Sequence, residues 1–367
     1  VSYLDRARAV LASLDAQGLR RAVPGASDAY IDFASNDYLG LSRARAVRDA
    51  LAGARVVGSG GSRLLSGAHP EHTALEAALA RFVKRERALL FSSGYLAAMG
   101  AVHGVAQLVE SAYSDAHNHA STIDALRLTR LRRFVFAHGE PPHVPRDAPA
   151  AIISESVFGM SGAPANMRAL LDVLGDEDIL VLDEAHALGI TGPGGAGLGS
   201  AYDDPRIVIV GTLSKALGAS GGFVAGPSAF IDLLVSTARS FIFDTSMPPA
   251  IARAAHAALD AALDGDALRR TLAERVAYAH AGLREVAGIT PAHDGPIIPV
   301  ILGETATALE VARGLRDRGI FVPAIRPPTV AAGSARLRIV IRADHTFAQI
   351  DALTSALREA LPRSGKT

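Results

Sequence analysis

The chain has 367 residues, 49% hydrophobic and 20% charged, which is enough apolar material for a large core and sets an expectation of two domains. Its 37 lysines and arginines balance 37 acids, so it carries no electrostatic footprint for nucleic acid, and the absence of cysteine excludes a disulfide framework and thiolate chemistry. No apolar run reaches the length of a membrane span.

Residues 1–17 predict a helix with Leu4, Ala7, Val10, Leu11 and Leu14 along one face. This start lacks the basic segment, apolar block and cleavage site of a signal peptide, so a cytoplasmic protein is expected. A loop at Pro24 and Gly25 precedes a short strand over 30–33. Glycine and serine crowd residues 53–67, and a helix is predicted over 73–84, with Leu75, Leu79, Phe82 and Val83 on one face. Strand-like runs then alternate with helical stretches, at 88–92, 112–114, 133–136, 150–154, 179–183, 207–211 and 222–225. Several are continuously apolar, which suits strands covered on both faces in a mostly parallel sheet. The predicted fold class is therefore α/β, and such sheets bind ligands beyond the carboxyl ends of their strands. Residues 250–287 read as helical with a break near Gly265. A strand at 297–302, a helix at 305–318, strands at 320–323 and 335–342 and a helix at 346–361 suggest a small α+β layer. The expected organisation is an N-terminal segment 1–45, a large domain 46–265 and a small C-terminal domain 266–367, ending in a frayed tail at 362–367.

The chemistry-bearing residues fall at two of those strand ends. The run at 178–182 ends in Asp183-Glu184-Ala185-His186, and the run at 206–211 leads through Thr212-Leu213-Ser214 to Lys215, which is followed by glycines at 218, 221 and 222. An acid and an imidazole at one strand end, and a lysine beside hydroxyls at the next, suit pyridoxal 5′-phosphate. A lysine amine links to the aldehyde, and an aspartate pairs with the pyridinium nitrogen. A solvated loop lysine would leave the strand, the glycines and the Asp183–His186 pair unexplained.

Three patterns mislead. Asp183-Glu184-Ala185-His186 spells a helicase motif, but the matching phosphate loop would have to be Gly365-Lys366-Thr367, with Ala360 in place of the required earlier glycine and no helix behind it. Gly192-Pro193-Gly194-Gly195-Ala196-Gly197 fits a dinucleotide fingerprint, yet more glycine and Asp203-Asp204-Pro205 follow, so a surface loop is expected. His117 and His119, with His138 and His143 beyond, lack an ordered metal-ligand spacing, and no metal is expected.

Taken together, the chain resembles the α-oxoamine synthases, pyridoxal phosphate enzymes of the aspartate aminotransferase fold type. The resemblance covers nearly the whole chain. Ser35-Asn36-Asp37-Tyr38-Leu39-Gly40-Leu41 resembles the family's N-terminal motif, and Gly58-Ser59-Gly60-Gly61-Ser62-Arg63, with Ser66-Gly67 and His72, resembles its glycine-rich loop. Asp183-Glu184-Ala185-His186 and Thr212-Leu213-Ser214-Lys215 match in order and spacing. Two further stretches, Thr245-Ser246-Met247-Pro248-Pro249 and Ile325-Arg326-Pro327-Pro328-Thr329-Val330, narrow the resemblance to the member that condenses L-alanine with a pimeloyl thioester, on coenzyme A or a carrier protein, with loss of carbon dioxide. Other amino acids or acyl chains, and aminotransferase or aldolase chemistry, remain alternatives.

The resemblance implies the following roles. Lys215, Asp183, His119 and His186 are the catalytic set. His119 stacks on the cofactor ring, and His186 reaches its phenolic oxygen. Ser93-Gly94-Tyr95, ending a strand and opening a helix, suits a phosphate dianion, and Thr212 reaches the same group. Thr245 does so from a partner subunit, which implies a homodimer with shared sites. Arg338 matches the arginine that holds the amino acid's carboxylate in a planar fork, although alternation in 335–342 also allows a solvated basic face of Arg336, Arg338, Val340 and Arg342. Asn36 resembles a second contact to that carboxylate, while Arg326 and Arg21 are candidates for the acyl chain's far carboxylate or its carrier. The chain departs from the family at Val157-Phe158-Gly159-Met160-Ser161-Gly162, where serine and aspartate are usual in place of Gly159 and Ser161, and at Ala98, where asparagine is common. The loop after Arg21 is also short.

Overall fold

The computed structural model describes residues 2–23, 29–286 and 289–361. Pro24, Gly25 and the tail at 362–367 lie outside the described residues. In chain order the elements begin with helix α1 (Tyr3–Ala16), a two-residue strand β1 (Ile31–Asp32) and helices α2 (Arg45–Ala52) and α3 (Pro70–Phe82). Next come β2 (Arg87–Phe91), α4 (Gly94–Val105), β3 (Ser111–Asp115), α5 (Ala120–Arg127), β4 (Arg132–Phe136), β5 (Ala150–Glu155), α6 (Met167–Asp172), β6 (Ile179–Asp183), β7 (Ile207–Thr212) and β8 (Gly222–Gly226). Helices α7 (Ser228–Thr237), α8 (Arg239–Ile242), α9 (Pro249–Leu263) and α10 (Asp266–Arg284) follow. The chain closes with β9 (Ile297–Gly303), α11 (Thr305–Asp317), β10 (Ile320–Phe321), β11 (Ala324–Ile325), β12 (Ala335–Val340) and α12 (Phe347–Ala360).

Two compact units result, one of Asn36–Gly159 and Ala163–Thr271, the other of Val1–Ser35, Met160–Gly162 and Leu272–Thr367. In the first, seven strands form one sheet in the order β2-β8-β7-β6-β5-β3-β4. All run the same way except β8, which is antiparallel to both β2 and β7. Strands β3, β5, β7 and β8 are buried along their whole length, as the apolar runs in β5, β7 and β8 predict for a sheet covered on both faces. Val102, Val105, Ile153, Val181, Val210, Val224 and Leu234 belong to one core between this sheet and its helices. Burying a side chain of this kind contributes about 1.5–3 kcal/mol.

In the second unit, β9, β11 and β12 form an antiparallel sheet, and β1 pairs in parallel with β10. The strand expected at 320–323 forms only over Ile320–Phe321, and a separate strand, β11, starts at Ala324 in the other sheet. Pro323 has no N–H to continue a ladder, and its carbonyl instead accepts from the Arg338 N–H at 3.2 Å. The solvated basic face that alternation allowed for β12 is absent. Arg338 and Arg342 are buried, and Arg342 is engaged by Asp32 and Asp344. Helix α1 forms with a Ser2–Asp5 capping box, yet none of its residues is buried, so the apolar stripe read from its sequence is left open. The break expected near Gly265 falls between α9 and α10.

Candidate active site

A cavity of about 240 Å³ lies at the carboxyl ends of β5, β6 and β7. It brings together Ser93, Gly94 and Tyr95 with His119, Asp183, His186, Thr212 and Lys215. Register explains the convergence. Glu155 pairs with Asp183, so β5 and β6 deliver their last residues at one level, and Asp183 pairs with Val210, so β7 runs two residues further to Thr212.

Strand β2 ends just before α4, where Ser93 Oγ accepts the Leu96 N–H at 3.2 Å. The first N–H groups of a helix have no partner within it, and the positive end of the helix dipole lies there, so this terminus suits a phosphate dianion. Close approach to β8 requires glycine, since a Cβ on Gly222 would lie 2.5 Å from the Gly94 Cα. A Cβ on Gly94 would in turn meet Thr212 Oγ1 at 3.1 Å, which places that hydroxyl beside the helix start. Thr212 Oγ1 donates to the Gly221 carbonyl at 3.0 Å.

His119 precedes α5, and its Nδ1 accepts the Ser121 N–H at 3.2 Å, so the neutral ring carries its proton on Nε2. Burial lowers its pKa, with Lys215 acting in the same direction and Asp183 opposing. A neutral, flat imidazole is thereby held in the cavity wall. Lys215 Nζ lies 2.9 Å from His186 Nε2, and the other ring nitrogen of His186 is 2.7 Å from Tyr38 Oη. Asp183 Oδ1 accepts the Ala185 N–H at 2.9 Å. The donor set fits pyridoxal 5′-phosphate: a lysine amine for the aldehyde, an acid for the ring nitrogen, an imidazole face, and a helix terminus with a threonine hydroxyl for the phosphate.

Sequence reading missed Glu155. It lines the cavity, is 6% exposed, and its carboxyl is pushed up to about 8, chiefly by burial and then by the charge of Asp183. The Gly159 N–H, donated to Glu155 Oε2 at 3.1 Å, opposes the shift. Its only signal was a polar residue ending the apolar run 150–153, one position beyond the expected strand. Glu184, inside the helicase-like motif, is engaged elsewhere. Its carboxyl accepts from Ser156 Oγ, from the Leu198 N–H at 3.1 Å and from the Gly199 N–H at 2.6 Å, and burial pushes its pKa up to about 7. The glycine stretch expected as a surface loop is therefore half buried. Gly192 to Gly194 are exposed, but Gly195, Ala196 and Gly197 are buried, Gly197 against the Glu184 carboxyl. A Cβ on Gly197 would lie 2.7 Å from that carboxyl.

The other expected residues do not line this cavity. Thr245 is exposed, ahead of α9. Asn36 Oδ1 accepts from Tyr38 Oη at 3.3 Å. In the other unit Arg338 is 4% exposed on β12. Arg326 Nε is buried with no hydrogen-bond partner among the described residues, and its pKa is lowered by burial and by the charge of Arg21. His117 stacks on His138 at 4.1 Å, and His138 bonds Asp115. Among the described residues no group of three or more His, Asp or Glu side chains is placed to hold a metal ion.

A family model for aminotransferase class I and II matches residues 28–357. The chain belongs to the aminotransferase class I and II family. Within that family it is similar to the 8-amino-7-oxononanoate synthase of Delftia acidovorans, 40% identical over 98% of this chain and 97% of the relative. The enzyme of the same name from Aromatoleum aromaticum is 41% identical over 96% and 98%. Among solved structures of the family, the serine palmitoyltransferase of Sphingomonas wittichii matches with a TM-score of 0.88 at 27% identity, covering 98% of this chain and 97% of that one. The 8-amino-7-oxononanoate synthase of Francisella tularensis matches at 0.74 and 25%, covering 90% and 98%. These relatives agree with the motifs on the α-oxoamine synthases.

Proposed function

We propose that the protein is a pyridoxal phosphate-dependent acyltransferase that condenses L-alanine with a pimeloyl thioester to 8-amino-7-oxononanoate, a step of biotin synthesis. The observation that carries this reading is the match of 8-amino-7-oxononanoate synthases at about 40% identity to nearly the whole chain. The cavity's donor set supports the chemistry. The alanine α-carbon forms a bond to the thioester carbonyl carbon, the carbon–sulfur bond breaks and the thiol leaves, and the alanine carboxylate departs as carbon dioxide. Pyridoxal 5′-phosphate, when bound, supplies an electron sink for the carbanion at the α-carbon.

The chain's own residues do the rest. The Lys215 amine takes the α-proton and later returns one to the same carbon. Asp183 keeps the ring nitrogen protonated, because an adjacent anion favours the charged form. His119 gives the ring a flat face, and His186 reaches the phenolic oxygen. Ser93, Gly94, Tyr95 and Thr212 hold the phosphate. Arg338 takes the amino acid's carboxylate as a bidentate fork, with Asn36 as a second contact. Arg326 and Arg21 take the acyl chain's far carboxylate or the carrier, a role that suits two neighbouring guanidinium groups, one with an unpartnered Nε. The protein works as a homodimer in the cytoplasm, and the partner's Thr245 completes the phosphate site. The uncovered stripe of α1 and the exposed Phe243 and Leu65 support such an assembly. Among the described residues no helix is long and apolar enough to cross a membrane.

The test begins with the absorbance spectrum and borohydride trapping. The pyridoxyl mass is expected on Lys215, and alanine with pimeloyl-CoA or a pimeloyl carrier protein should release thiol and carbon dioxide. No thiol from any acyl thioester would sink the acyltransferase reading. A second reading, an α-oxoamine synthase with other substrates, is favoured by Gly159 and Ser161 and by the likeness to serine palmitoyltransferase. A panel of amino acids, scored by thiol release, separates the two.

A further inference from the structure

We infer that Tyr38 is a positioning residue for this reaction: it fixes His186 in the tautomer that carries its proton on Nδ1, so that Nε2 faces the Lys215 amine as an acceptor. The inference rests on the function proposed above for the identity of the reaction, and on geometry for the rest. Tyr38 is fully buried. Its hydroxyl is 2.7 Å from His186 Nδ1 and 3.3 Å from Asn36 Oδ1, and His186 Nε2 is 2.9 Å from Lys215 Nζ.

The protons can be assigned from both ends of this line. A lysine ammonium has three donors and no acceptor, so Nε2 must accept from it. An imidazole that accepts at Nε2 carries its single proton on Nδ1, and donates it to Tyr38 Oη. The phenol proton is then free for Asn36 Oδ1, which can only accept. Every bond from Lys215 through His186 and Tyr38 to Asn36 has one donor and one acceptor. The other tautomer would set the Nε2 proton against the ammonium and draw the phenol proton away from Asn36.

Gly159 makes room for this arrangement. A Cβ there would lie 2.5 Å from His186 Nε2 and 3.0 Å from Cδ2, so any side chain would push the ring off the amine. The position where the resembled family usually has serine is thus the position where this chain needs none. The other titratable groups around the amine are Asp183 on β6, Glu155 on β5 and His119 ahead of α5. Burial holds Glu155 and His119 toward their neutral forms, which leaves Asp183 as the counter-charge.

The test uses protein labelled with nitrogen-15 at histidine, read in the apo form where Lys215 keeps its free amine, with His186 assigned through His186→Gln. Two-bond nitrogen–proton correlations should show the Nδ1–H tautomer in the parent. Tyr38→Phe removes only the hydroxyl, and should convert His186 to the Nε2–H form. The pH midpoint for trapping the cofactor on Lys215 should then fall by about one unit, because the ammonium loses an acceptor. Gly159→Ala keeps Tyr38 and should move that midpoint the same way, which covers the case in which Tyr38→Phe does not fold. An Nε2–H tautomer in the parent overturns the inference, as does an unchanged tautomer and midpoint in Tyr38→Phe. A purely structural tyrosine would lower the melting temperature and leave both readouts where they were. If the parent fails to load pyridoxal phosphate, the proposed function falls, while the apo tautomer still decides this point.

Discussion

Glu155 and Glu184 are buried at the ends of neighbouring strands, and burial raises both carboxyl pKa values, to about 8 and about 7. Their surroundings differ. Glu184 is enclosed by fixed donors, the Ser156 hydroxyl and the backbone N–H groups of Leu198 and Gly199, and a glycine turn wraps it. Glu155 faces the cavity, beside the charges of Asp183 and Lys215. One carboxyl is therefore part of the scaffold, with its partners set once by folding. The other feels groups whose charge changes when a ligand arrives, so its protonation can follow the state of the site.

Substitutions should separate the two. Glu184→Ala strands three donors and opens a cavity, so unfolding by urea should show a loss of about 3–5 kcal/mol. A loss below 1 kcal/mol would mean that the cradle is not what holds the glycine turn. Glu155→Gln should act through pH. With its folded pKa above the unfolded value near 4.5, Glu155 stays protonated in the folded chain while the unfolded chain ionises, so the parent apoprotein loses stability as pH rises from about 4.5 to about 8. Glutamine removes that slope, and the variant should gain about 4 kcal/mol over the parent at pH 8.5 relative to pH 5. Parallel stability profiles would mean that Glu155 is ionised in the folded apoprotein. Ser156→Ala removes a single donor to Glu184 and should cost about 1 kcal/mol, and because that hydroxyl holds the Glu184 pKa down, its loss should deepen the fall in stability as pH rises above about 5.

The convergence of the candidate site residues on one cavity was legible because they end apolar strands. Asp183 closes β6, and Lys215 follows β7 within three residues, so chain order alone brought them to one edge of a parallel sheet. Glu155 does the same on β5, but a lone acid between two serines looks like the solvated end of a strand, and only pairing with Asp183 reveals its place. Periodicity carries no strand direction, so the reversal of β8 could not be read. Nor could the end of β10 at Phe321, because Pro323 is tolerated at a strand's edge as readily as it breaks one. The stripe on α1 was visible as a pattern, but a pattern does not say what covers it. Gly197 looked like part of a nucleotide loop because close backbone approach selects glycine whether the neighbour is a phosphate or, as here, a carboxylate.

The reversal of β8 has a consequence for how much the chain can be altered. Between the other sequential strands of the sheet, connections carry helices or long loops, and added length there is spread over covering layers. The segment from 213 to 221 instead turns straight back, closed by the Leu213 N–H on the Gly221 carbonyl at 2.9 Å. Lys215 thus rides on a short return clamped at both ends to the same pair of strands. One residue inserted among 216–220 would shift the register of the Lys215 amine against the cavity, whereas the same insertion in the exposed part of the glycine turn, at 192–194, should leave that amine in place. Loop-length variation across engineered libraries of this protein should accordingly be confined by the tether and free almost everywhere else on that edge of the sheet.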